Sequence, residues 1–313
     1  MTTSSEATAT AETAGAPRTE GWQIRRRREP ARQRTGRVVP FPKIQQMETD
    51  WLELERHQHL MHGLFEVDVT ETRRAIRAYR ARNGAPLSLT AFLVHCLACA
   101  VAADPAMQAY RLGRRRLVLF PNVDVGIMVE REVEGSRIPV GAVIQAADTK
   151  DLGAIQQEIR AAQNADLETV ATRAFPRWLR PLLVRGLAAW LALPAVFRRA
   201  VWARAIRNPY RRKRLQGTVG LTAVGMFGRG AGWGLAPMNH TLTLVVGGLA
   251  HKPGLVAGRI TEREYLCLTL TLDHDVIEGA PAARFVRRLA DLIESGAGLQ
   301  APTPEPAGLV TPR

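Results

Sequence analysis

Cysteine is scarce: three residues in a chain of 313, an odd number and too few for a disulfide framework, which favours a reducing compartment. No apolar stretch reaches the ~20 residues that cross a bilayer. Residues 1–20 are rich in Thr, Ala and Glu and lack the hydrophobic stretch of a secretory signal, so a cytoplasmic location is expected. Metal-ligand patterns are missing too. His57, His59 and His62 lie close together, yet no cysteine or carboxylate stands at ligand spacing, and no metal is expected. Cys96 and Cys99 have CxxC spacing inside an apolar segment with no second pair, which reads as core cysteines. Gly228-Arg229-Gly230-Ala231-Gly232 lacks the Lys-Ser/Thr of a phosphate loop and reads as a flexible loop.

Acidic residues are absent between Thr169 and Thr261, while the whole chain carries a net charge of +14. Such a charge raises anionic partners. Nothing in the sequence matches a nucleic-acid module, however, and the basic residues are mostly Arg, so nucleic acid is not an expected partner. A hydrophobic fraction of 46% over 313 residues is enough for one large core or two small ones. Residues 1–37, with the run Arg25-Arg26-Arg27-Arg28, read as a disordered basic tail; 38–297 read as one folded domain and 298–313 as a second disordered tail.

Periodicity organises the middle of the chain. A strand from His62 to Val69 leads into a helix from Thr70 to Arg82, stopped by Asn83-Gly84. Ser88 is placed to cap a helix with Phe92, Leu93, Cys96, Leu97 and Ala100 at helical spacing. Strands are expected over 117–120, 123–130 and 137–145, a helix over 150–164, and strands over 217–224, 241–250 and 264–273. A last helix follows, through Phe285, Leu289, Leu292 and Ile293. Strands and helices interleave without a regular βαβ repeat, which predicts an α/β fold of two layers, helices packed on a mixed sheet.

Residues 167–215 form a basic insertion in that pattern. Trp178, Trp190 and Trp202 interleave with leucines and arginines, and the longest uncharged run, Gly186 to Phe197, is too short to span a bilayer and contains Pro194. The composition suits a helical pair. It can pack on its own domain, dock on a partner, or make peripheral membrane contact through 175–214.

The most informative stretch comes near the end. The alternating strand Tyr265 to Leu272 runs into Asp273-His274-Asp275-Val276-Ile277-Glu278-Gly279 and then an amphipathic helix. These residues resemble the HxxxDG signature of the chloramphenicol acetyltransferase-like superfamily, in particular the catalytic domain of the dihydrolipoyl acyltransferases of 2-oxoacid dehydrogenase complexes, with Glu278 where that family has Asp. Further landmarks resemble the family in the same order: the opening segment to Asp68, Leu87-Ser88-Leu89-Thr90, Asp104-Pro105, Asn122 to Ile127, Ala147 to Leu152, and the glycine-rich Gly217 to Gly228.

The resemblance implies an acyltransferase with the chloramphenicol acetyltransferase-like fold. It would move an acyl group between coenzyme A, a cosubstrate, and a dihydrolipoyl-like thiol or another nucleophile. His274 would be the general base, Thr222 the hydroxyl donor to the oxyanion, and Glu278 a carboxylate shaping the site. His62, Gly225 and Pro237 would line the substrate channel, altered here because Ala223, Gly141-Ala142-Val143 and Leu235-Ala236 depart from the usual family residues. The family also implies a homotrimer or a multiple of three and dehydrogenase-complex subunits as partners. Some forty residues precede the resembling region, too few for a lipoyl domain, so a lipoyl group would come from another chain. The alternative is a noncatalytic trimeric scaffold using the Arg/Trp insertion to bind a partner or a membrane surface.

Overall fold

A computed structural model describes residues 58–133, 136–165, 193–223, 230–237 and 239–299, with a few isolated positions between 41 and 53 and at 186 and 190. Residues 1–37 and 300–313, Gly225 and nearly all of the insertion before 193 lie outside them. Eight strands are described: β1 (Leu60–Asp68), β2 (Tyr110–Leu112), β3 (Arg116–Val118), β4 (Val125–Val133), β5 (Ser136–Ile144), β6 (Val219–Ala223), β7 (Leu242–Val256) and β8 (Arg259–Asp273). Six helices accompany them: α1 (Thr70–Asn83), α2 (Leu89–Ala102), α3 (Leu152–Asn164), α4 (Ala195–Ile206), α5 (Pro209–Gln216) and α6 (Gly279–Glu294).

Six strands make one mixed sheet in the order β1-β8-β7-β6-β4-β5, and β2 pairs with β3 as a separate hairpin. Within the sheet β4–β6 and β6–β7 are parallel and the other neighbours antiparallel. This is the expected α/β architecture. Successive strand residues face opposite sides. Leu266, Leu268, Leu270 and Leu272 of β8, Leu242 and Leu244 of β7, Leu221 of β6 and Ile127 of β4 therefore join the helices in one core, and their neighbours in sequence face away. Against that core lies α2, buried along most of its length, with Phe92, Leu93 and Leu97 fully enclosed. Side chains of this size contribute roughly 1.5–3 kcal/mol each on burial. Ser88 caps α2 by accepting from the Ala91 amide at 3.1 Å, and Asp151 caps α3 in the same way. α6 presents Phe285, Leu289 and Ile293, one turn apart, to the core.

The strands β7 and β8 run well past their expected limits as a hairpin, turning at Ala257 and Gly258, both with positive φ. At the sheet end of the hairpin, the register slips between Val246 and Leu249. A side chain on Gly247 would meet the Gly232 carbonyl at 2.1 Å, so the 230–233 segment can cross there only over glycine.

From the insertion, α4 and α5 are described. Asp50, buried, receives Arg198 Nε at 2.7 Å and Arg199 Nε at 2.8 Å, which ties α4 to the segment before β1. α5 ends against the strands, where Lys213 bonds Asp124 at 3.0 Å and the Arg212 guanidinium stacks 4.1 Å from the Tyr110 ring. Among the described residues no helix is long and apolar enough to cross a membrane. Cys96 and Cys267 are buried, Cys99 is half-buried, and all three are free thiols.

Candidate active site

The last strand ends in a turn whose backbone is bonded almost completely. Asp273 N–H donates to Thr241 O at 2.9 Å, and the amides of Val276 and Ile277 both donate to Asp273 O at 3.0 Å. The Asp273 carboxylate accepts from the Asp275 amide two residues on, at 3.0 Å, the local bond for which Asp is favoured in turns. His274 sits at the tip. Its amide donates to the carbonyl of His59 at 2.8 Å, and its side chain is exposed.

Asp275 is bonded from two other elements. Its Oδ1 lies 2.9 Å from His59 Nδ1, just before β1, and its Oδ2 lies 2.5 Å from Arg111 Nη1 on β2. The His59 hydrogen bond, aided by the charges of His59 and Arg111, holds this carboxyl below the usual range against a smaller opposing effect of burial. Asp273 goes the other way: burial raises it, and the Asp275 amide, Arg212 and Arg111 offset that only in part.

Glu278 is the N-cap residue of α6. Its exposed side chain makes no capping bond and no ion pair among the described residues. Neither His59, Asp275 nor Arg111 stood out as a site residue in the sequence. His59 belonged to a histidine group set aside for want of ligand spacing, and Asp275 lay inside the signature. Arg111 carries no local signal, being 164 positions from its partner.

Thr222 lies on β6, half-buried, on the sheet face opposite Leu221. It is opposite Val245, which is opposite Thr269. Threonine hydroxyls crowd this face: Thr243 Oγ1 and Thr269 Oγ1 are buried without a partner among the described residues, and Thr271 Oγ1 is bonded to His62 Nδ1 at 3.0 Å. Gly126, Gly220, Thr243, Thr271 and His62 form one row across five strands. The His240 ring lies over its glycine end: a side chain on Gly220 would meet His240 Nδ1 at 2.8 Å. His240 Nε2–H donates to Gln216 O at 2.9 Å, and burial, assisted by Arg212, lowers the imidazole to about 4. Pro237, exposed, belongs to the segment whose Gly232 crosses the β7 bulge and whose Trp233 donates to Phe65 O at 3.2 Å.

Register also sets what cannot meet. Thr269 is level with Thr222 and precedes His274 by five residues, roughly 17 Å of strand, and two strand spacings add about 10 Å sideways. Thr222 and His274 of one chain are thus close to 20 Å apart. One chain does not bring them together.

The family described as 2-oxoacid dehydrogenases acyltransferase (catalytic domain) matches residues 34–172 and 202–300, leaving 173–201 of the insertion unmatched. No curated protein matches the chain. Among solved structures, a probable dihydrolipoamide acetyltransferase from Listeria monocytogenes is similar at 17% identity and a TM-score of 0.60, covering 86% of this chain and 98% of that one. A truncated catalytic core of the 2-oxoacid dehydrogenase complex from Thermoplasma acidophilum is similar at 21% identity and a TM-score of 0.57, covering 84% and 100%. The dihydrolipoamide acetyltransferase of Azotobacter vinelandii is similar at 18% identity and a TM-score of 0.60, covering 84% and 94%. In that enzyme a serine, a histidine 52 positions later and an asparagine four positions after the histidine have been investigated for their role in catalysis.

Proposed function

The chain belongs to the family of 2-oxoacid dehydrogenase acyltransferase catalytic domains, and we propose that it moves an acyl group between coenzyme A and a dihydrolipoyl-like thiol or another nucleophile, with His274 as general base and Thr222 as oxyanion donor, in sites built from two copies of the chain. The observation that carries this reading is a spacing. Thr222 precedes His274 by 52 positions and Glu278 follows by four, as do the serine, histidine and asparagine of the Azotobacter enzyme.

The chemistry needs those side-chain types. An imidazole is suited to take a thiol proton near neutral pH. The freed sulfur attacks the thioester carbon, the Thr222 hydroxyl donates to the developing oxyanion, and the carbon–sulfur bond to coenzyme A breaks as His274 returns the proton to the leaving thiolate. A single preorganised donor of this kind is worth about 3 kcal/mol to the transition state. The separation of Thr222 and His274 within one chain supports a site shared between protomers, hence a closed homo-oligomer such as a trimer. Buried groups without partners are rare, and the hydroxyls of Thr243 and Thr269 are two such groups, among the described residues, on the face that holds Thr222. His62, Gly225 and Pro237 are proposed to line the path to it. A lipoyl group as acceptor would make dehydrogenase-complex subunits candidate partners.

Incubating the full chain with acetyl-, propionyl- and longer acyl-CoA plus dihydrolipoamide tests the reading. Release of coenzyme A with at least one donor, lost in His274→Ala, is expected. A chain silent with every donor would instead be a scaffold.

A second role is favoured by α4, much of which lies in the stretch without a family counterpart. Val196 is 74% exposed and Phe197 61%, and Arg204, Arg207, Arg211 and Arg214 are exposed further along. Apolar and cationic groups so placed suit peripheral contact with an anionic membrane. Flotation with phosphatidylglycerol vesicles but not with phosphatidylcholine vesicles, reduced by Phe197→Ser, is the expected result; equal recovery with both lipids, or none, contradicts it.

A further inference from the structure

The geometry points to Asp275, not Glu278, as the carboxylate that positions the His274 turn. This rests on the reading of His274 as the base and adds to it a pair of anchors. The His59 main chain holds the His274 amide at 2.8 Å, and the same residue's ring meets Asp275 Oδ1 at 2.9 Å, so one residue fixes both sides of the peptide that follows His274. Arg111, from the β2–β3 hairpin, reaches Asp275 Oδ2 at 2.5 Å from a third direction. Asp273 takes the Asp275 amide at 3.0 Å and closes the turn from inside. The imidazole therefore projects from a loop gripped by the segment before β1, by β2 and by the end of β8.

Glu278 has none of these contacts. It stands at the start of α6, exposed, at the position whose carboxylate the family resemblance would use to shape the site. The chain keeps a carboxylate in that role by supplying it one residue after the histidine instead of four. Asp275 acts through the turn that carries His274 and is a positioning residue, with Arg111 and His59 as its partners.

Two readouts on the full-length protein test this: steady-state acyl transfer, and amide hydrogen exchange followed by mass spectrometry in peptides spanning residues 267–278. Asp275→Asn and Arg111→Gln are expected to lower kcat about ten-fold or more, because small misplacements of a catalytic group are costly, with KM for acyl-CoA changed by no more than about two-fold. Asp275→Glu should recover part of the loss. The same two variants should speed exchange at the His274 turn by about ten-fold, the signature of local opening, whereas Glu278→Gln should leave exchange there unaltered. A Glu278→Gln variant that loses kcat while Asp275→Asn keeps it overturns the assignment. So does unaltered exchange in Asp275→Asn. If the wild-type chain transfers no acyl group, the proposed activity falls, and the exchange arm still decides whether Asp275 anchors the turn.

Discussion

Mixing two inactive variants should regenerate activity. Each candidate site needs His274 and Thr222, which the sheet register holds close to 20 Å apart in one chain, far beyond the ~3 Å reach of a hydrogen bond. In a closed ring with heterologous contacts, each site then takes His274 from one protomer and Thr222 from the next. Thr222→Ala alone should lose about 10²–10³-fold in kcat, and His274→Ala alone about 10²–10⁴-fold. When the two are co-expressed with different tags at equal levels and assemble at random, about one interface in four pairs an intact histidine with an intact threonine, so roughly a quarter of wild-type coenzyme A release returns. The reverse mixture adds a control. Wild type combined with the Thr222→Ala/His274→Ala double variant keeps about a quarter of its sites if they are shared, and about half if each chain supplies both residues. A mixture of single variants no more active than its parts, with half activity in the control, would refute the shared site.

Acid sensitivity should centre on His240. A free imidazole takes up a proton as pH drops through about 6.5, whereas the buried ring holds out until about 4. The unfolded state therefore binds more protons in that window, and stability falls between roughly pH 6.5 and 4, by on the order of 3 kcal/mol. Urea titrations at several pH values should show this slope, flattened in His240→Gln. Gly220→Ala should destabilise by about 1–3 kcal/mol, because the new methyl would fall 2.5 Å from Thr243 Oγ1 and 2.8 Å from His240 Nδ1, and thermal melts will measure it. At Asp50, burial raises the carboxyl, but hydrogen bonds and charges from Arg199 and Arg198 more than offset it and leave it below the usual range. The stability it contributes is present above about pH 4 and is lost as pH falls further. Asp50→Asn removes it at neutral pH, taking the carboxylate charge from the buried ion pair at a cost of about 3 kcal/mol. Trp202 and Trp190, edge to face at 6.1 Å, should report the release of α4 by fluorescence.

What the sequence made legible was local and periodic. The helix over 70–83, the Ser88 cap and the junction of β8 with α6 follow from apolar spacing and turn residues. The outer halves of β7 and β8 did not stand out, because Pro253 and Gly254 interrupt the alternation and those residues pair only with each other, through an Ala257-Gly258 turn without the usual Asn-Gly mark. Short β2, with three residues, offers no period to detect. At the site, His274 and Thr222 could be picked out by the residues around them. Their separation could not, since it depends on two intervening strand pairings. The Arg111–Asp275 contact spans 164 positions and exists only once β2 and the last turn are folded together.

The most direct test of the central claim is the initial rate of coenzyme A release from acyl-CoA in the presence of dihydrolipoamide, measured for the full chain and for His274→Ala. A rate that drops by about 10²–10⁴-fold in the variant, with the oligomer intact by light scattering, is the predicted result. A variant as fast as the wild type would contradict the account, because the thiol proton would then leave without the His274 imidazole.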